Sequence, residues 1–68
     1  MNWMEFTAIN DTLLLVNISN VSAIREYSAD RTDLVLVGGY TYEVQGSYIT
    51  ILKRLQEMEN KTLIRPVE

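Results

Sequence analysis

The sequence contains no cysteine and no histidine, only one proline and three glycines, and no hydrophobic run longer than four residues. Without cysteine there are no disulfides, no thiolate metal sites and no sulfur nucleophile, a pattern that fits an intracellular chain. Without histidine the commonest general base near neutral pH and the commonest transition-metal ligand are both missing. The run Leu13-Leu14-Leu15-Val16 falls far short of the roughly 20 apolar residues that span a bilayer. Positive charge is scarce as well: six Lys and Arg against nine Asp and Glu leave a net charge of −3, so no broad field draws in nucleic acid or anionic lipid. Met1-Asn2-Trp3-Met4-Glu5 has no basic stretch before an apolar run, which argues against a signal peptide, and a cytoplasmic location is expected.

What the chain does have is a normal hydrophobic fraction, 47% of 68 residues, which predicts a folded domain. A chain this short buries only about 60% of the surface its unfolded form exposes, so an oligomeric partner would help it. The triplets beginning at Asn10, Asn17, Asn20 and Asn60 match a glycosylation pattern. Without a secretory signal they read instead as turn and cap residues, whose short side chains bond to nearby backbone.

Short strands are predicted over Trp3–Ile9, Leu13–Asn17, Ser22–Tyr27, Asp33–Val37 and Tyr40–Gln45. Asn10-Asp11 and Gly38-Gly39 mark hairpins, Asn17 caps a single turn, and residues 28–32 form a polar loop. After Gly46 the period changes. Ser47 is a natural N-cap, and Tyr48, Ile51, Leu52, Leu55 and Met58 share one helical face, with Lys53, Glu57 and Lys61 on another. The expected architecture is α+β: a five-stranded antiparallel meander, flat or curled, followed by one C-terminal amphipathic helix. Residues 1–61 form the single domain and residues 62–68 a tail, with Leu63 and Ile64 tucked back and Pro66 forbidding more helix.

Two stretches carry a family resemblance. One is Phe6-Thr7-Ala8-Ile9-Asn10-Asp11 followed by Leu14-Leu15-Val16-Asn17, Val21 and Ile24. The other is Thr32 to Val44 around Gly38-Gly39, then Ser47 and a short helix with Ile51, Leu52 and Leu55. The pattern resembles the flagellar FlbD-like family of small bacterial proteins, and small phage and mobile-element proteins of unknown function carry it too. The resemblance implies bacteria or their phages, a link to flagellar gene clusters and motility, and no enzymatic activity. The chain departs from the family with Asp11 where a glycine is usual and Ile18 where a proline is favoured.

Family parity places Phe6, Leu14, Val16, Ile24, Leu34, Leu36, Tyr42 and Val44 toward the helix. Strand alternation then sends Leu13, Leu15, Val35 and Val37 to the other face. Five strands about 4.8 Å apart make a sheet roughly 19 Å wide, and one helix about 10 Å across covers only half of it. Either the sheet curls, or a bulge shifts the parity, or another surface covers Leu13, Leu15, Ala23, Tyr27, Val35 and Val37. Self-association through these six is the leading expectation, with a different protein partner as the alternative.

Catalytic chemistry finds little support. The carboxylates sit in turns or on solvent faces, Asp30 and Asp33 lack the spaced ligands of a cation site, and Gly38-Gly39 has no following helix N-terminus or lysine to make a phosphate loop. No catalytic, metal or cofactor-binding residue is assigned. The expected function is that of a non-enzymatic interaction module with an accessory or regulatory role. The alternative is a small nucleic-acid-binding regulator, using Arg25 and Arg31 for phosphates and Tyr40 for base stacking.

Overall fold

A computed structural model describes the backbone of residues 2–62 and the side chains as far as Met58. The chain runs β1 (Trp3–Thr7), β2 (Leu13–Asn17), a 3₁₀ turn (Ile18–Asn20), β3 (Val21–Ser28), β4 (Arg31–Leu36), β5 (Thr41–Gln45) and α1 (Tyr48–Thr62). All pairing is antiparallel, and a single helix follows the strands, so the α+β class holds.

The single five-stranded meander does not. β1 and β2 form a two-stranded sheet, and β3, β4 and β5 a three-stranded one. The break falls at the 3₁₀ turn, where the Asn17 side chain accepts the Ser19 N–H at 3.1 Å. A capped turn redirects the chain too sharply for β3 to fold back along β2. The sheets meet at their other ends instead. Ala8 bridges Val44, and the Ile9 N–H donates to the Glu43 carbonyl at 3.1 Å. Gln45 reinforces this seam, its Nε2 donating to the Ala8 carbonyl and to Asp11 Oδ1.

Between the two sheets and the helix lies a core of Phe6, Val16, Leu34, Val44 and Ile51, all nearly inaccessible to solvent. Met4, Leu14, Ile18, Val21, Ile24, Leu36 and Leu55 pack around it. The inward parity expected for seven of the eight strand residues is therefore seen. Tyr42 is the exception, remaining 40% exposed although it pairs with the fully buried Leu34. It lies two residues beyond the Ala8–Val44 bridge, beside the Ile9–Asp11 loop, where β1 no longer covers β5.

The hairpins follow from residue chemistry. The first has a three-residue loop, closed by Ala8 N–H to the Thr12 carbonyl at 2.7 Å, with Asp11 at φ +70°. Asp is one of the few L-residues that tolerate this left-handed region, which a three-residue loop needs at its last position. The polar loop expected over residues 28–32 contracts to the two-residue turn Ala29-Asp30, because β3 runs on to Ser28 and β4 starts at Arg31. Gly38 and Gly39 both take positive φ, as their hairpin requires.

Ser47 caps the helix, its Oγ accepting the Thr50 N–H at 3.2 Å. Ile51 then enters the core, while Arg54 reaches back to the first sheet. Its guanidinium lies 4.8 Å from the centre of the Phe6 ring and donates to the Glu5 carbonyl at 2.7 Å. Among the described residues Thr32 is the polar side chain with no exposed surface, and its hydroxyl donates to the Gly46 carbonyl at 2.9 Å. The helix is described to Thr62, and the rest of the expected tail, including Leu63 and Ile64, lies outside the described residues.

Leu34 has no exposed surface, and truncating it opens a cavity at the meeting point of both sheets and the helix. Leu34→Ala is expected to cost about 2–5 kcal/mol of unfolding free energy in urea titration, whereas Leu13→Ala, at an exposed position, stays within about 0.5 kcal/mol.

Candidate interaction surfaces

The outward surface divides into two parts of different character. On the two-stranded sheet the outward residues are Trp3, Glu5 and Thr7 from β1 and Leu13, Leu15 and Asn17 from β2. Leu13 and Leu15 are 65% and 66% exposed, and Trp3 adjoins Leu15 diagonally across the strands. On the three-stranded sheet the outward face combines Ala23 and Val35 with charged rows from all three strands.

Those charges form a closed set. Asp33 lies on the central strand, facing Arg25 on one neighbour and Glu43 on the other. Its carboxylate is nearly buried and accepts from Arg25 Nη2 at 3.2 Å and Arg31 Nε at 3.4 Å. Arg31 also reaches Glu43 Oε2 at 2.9 Å, and its guanidinium stacks 3.5 Å from the centre of the Tyr27 ring. Two cations thus face two anions, and Arg31 is held on three sides: by Asp33, Glu43 and Tyr27. Pairing with the more exposed Arg25 is worth little alone, while the covered Asp33–Arg31 contact matters more.

The six residues expected to make one apolar patch are not together. Leu13 and Leu15 belong to one sheet, whereas Ala23, Tyr27 and Val35 belong to the other and Val37 lies just past the end of β4. Val35 is half-buried, Tyr27 is engaged with Arg31, and Val37 protrudes at the glycine hairpin, 65% exposed. Of the residues considered for nucleic acid, Arg25 and Arg31 both point into the ionic set, and Tyr40 stands apart at the hairpin tip.

A third feature had no signal in the sequence beyond helical periodicity. An open groove of about 610 Å³ runs between β3 and α1, lined by Ile18, Val21, Ile24, Leu52, Leu55 and Met58 among others. The helix lies over the core but leaves its flank toward the start of β3 uncovered. Among the described residues no group of three or more acidic, His or Cys side chains converges to hold a metal, and no helix is long and apolar enough to cross a membrane.

Compared with family models, curated proteins and solved structures, the chain matches none.

If Asp33 organises the ionic set, Asp33→Asn is expected to lower stability by about 1–3 kcal/mol, since it leaves a half-satisfied cluster under cover. Glu43→Gln, which removes only the more exposed contact, should cost under about 1 kcal/mol. Equal losses in urea titration would contradict that order.

Proposed function

We propose that the chain is a non-enzymatic interaction module that associates with itself and acts through protein contact as an accessory or regulatory factor of the bacterial or phage cytoplasm. The observation that carries this reading is the exposure of Leu13 and Leu15 on one strand, outside a core that is already complete without them. A chain of 68 residues has little apolar area to spare, and leaving two leucines in water side by side costs solubility without adding to the core. The neutralisation of Arg25 and Arg31 by Asp33 and Glu43 favours a protein partner over nucleic acid. The resemblance to FlbD-like proteins extends the proposal to an accessory role at the flagellar motor.

Sedimentation equilibrium across a wide concentration range tests self-association. The mass is expected to rise from 7.8 kDa toward a multiple of it as concentration increases. A constant 7.8 kDa would overturn that part of the reading. The motor link requires separately that purification from a flagellated host bring down motor components in a salt-resistant complex.

A further inference from the structure

We infer that two copies of this chain join edge to edge through β2, antiparallel about a two-fold axis at Leu15, making one continuous four-stranded sheet. This rests on the reading of the chain as a self-associating module and specifies its contact. The starting point is which way the backbone of β2 points. The Ala8 N–H donates to the Thr12 carbonyl and the Ile18 N–H to the Asn2 carbonyl, each at 2.7 Å. With the register Met4–Val16 and Phe6–Leu14 between them, the closely bonded pairs of the ladder fall at Leu14 and Val16. The N–H and C=O groups of Leu13 and Leu15 and the N–H of Asn17 therefore point away from β1, where the described residues place no neighbouring strand, while the Asn17 carbonyl already accepts the first bond of the 3₁₀ turn.

The other edges are occupied or guarded. β1 is tied to β5 at Ala8 and Ile9, and Arg54 takes its Glu5 carbonyl. β3 also has an open side, but it carries Arg25 and Glu26 and is irregular near both ends, between Val21 and Ala23 and between Glu26 and Ser28. Charges and bulges are the usual devices that keep an edge from pairing. β2 has neither: Leu13-Leu14-Leu15-Val16-Asn17 is uncharged, regular, and free of proline and glycine.

The occupant is a second copy because the strand is complementary to itself. With Leu15 opposite Leu15 of the second copy, Leu13 faces Asn17 and Asn17 faces Leu13. Every outward N–H then finds an acceptor, the Asn17 carbonyl taking the Leu13 N–H of the second copy on its remaining lone pair; shifting the centre to Leu14 leaves the Asn17 N–H without a strand partner, and shifting it to Val16 leaves the Leu13 N–H without one. No like charges meet across the axis. The same register sets half-buried Leu14 beside buried Val16 of the second copy, so the inner faces of the two sheets join as well. A five-residue edge makes a contact smaller than the roughly 1,200 Å² of a standard stable interface, so the dimer forms in a concentration-dependent way.

The absence of native cysteine makes the register directly testable. Closely bonded partners in an antiparallel sheet have Cα atoms about 5.5 Å apart, within disulfide range, whereas the two Leu13 positions would lie about 14 Å apart. Under mild oxidation Leu15→Cys is expected to cross-link rapidly to a covalent dimer, and Leu13→Cys slowly. Leu15→Lys, which sets like charges face to face at the axis, should weaken association by about tenfold or more in sedimentation, with circular dichroism unchanged. Equal cross-linking of the two cysteine variants, or a dimer untouched by Leu15→Lys, overturns the β2 edge while leaving self-association standing. A wild-type chain that stays monomeric up to about 1 mM overturns both. Should Leu15→Lys lose its circular dichroism signal, N-methylation of the Leu15 amide in a synthetic chain replaces it. That N–H points away from β1 and meets no neighbouring strand among the described residues, so loss of dimer with retained fold is the expected result, and retained dimer overturns the inference.

Discussion

The fold depends on one seam, the place where the two sheets meet at Ala8 and Val44. Neither sheet encloses anything alone: the two-stranded ribbon and the three-stranded sheet each turn only one face inward, and neither can cover it by itself. The bridge turns β1 toward β5, so Phe6 and Val16 from the first sheet come to face Leu34 and Val44 from the second. Ile51 then closes the space, placed by the Ser47 cap at the start of α1. Gln45 and Arg54 fasten the arrangement from opposite sides, one at the loop of the first hairpin and one at the Glu5 carbonyl.

Much of this was legible in the sequence wherever the information is local. The family resemblance set the parity that turns Phe6, Leu14, Val16, Ile24, Leu34, Leu36 and Val44 inward, and alternation along each strand then assigned the opposite face. Asn17, Gly38-Gly39 and Ser47 announced their turns and cap through side-chain and backbone chemistry. What could not be read was which strand ends meet. A meander and a folded-over pair of sheets place the same residues inward, and the difference lies in the sharpness of the Ile18–Asn20 turn and in the Ala8–Val44 bridge, 36 residues apart in sequence. Tyr42 was misplaced for the same reason: its parity is inward, but burial also needs a neighbour, and β1 ends too soon to provide one.

The candidate surface was half legible. Leu13 and Leu15 stand out because both faces of β2 are apolar, a pattern that period-two alternation exposes directly. The ionic set around Asp33 was hidden, since Arg25, Arg31, Asp33 and Glu43 become neighbours only through the register of three strands. That register changes the chemical meaning of the two arginines. Read singly they are phosphate ligands in waiting; seen together with Asp33, Glu43 and the Tyr27 ring, they act as internal ties across a sheet.

The two open edges show how differently one small chain can treat the same hazard. β3 carries charge on its open strand, breaks its register near each end and borders the groove under α1. β2 is regular, uncharged and apolar outward, and its hydrogen-bonding groups alternate in phase with its exposed leucines. A strand built only to finish the core would need Leu14 and Val16 on its inner side and could carry threonine or lysine at 13 and 15 without loss. Leucine at both outward positions adds nothing to the monomer's core, yet it places apolar side chains at the same residues whose outward backbone groups meet no neighbouring strand among the described residues. Side chain and main chain on β2 thus ask for the same thing, another strand.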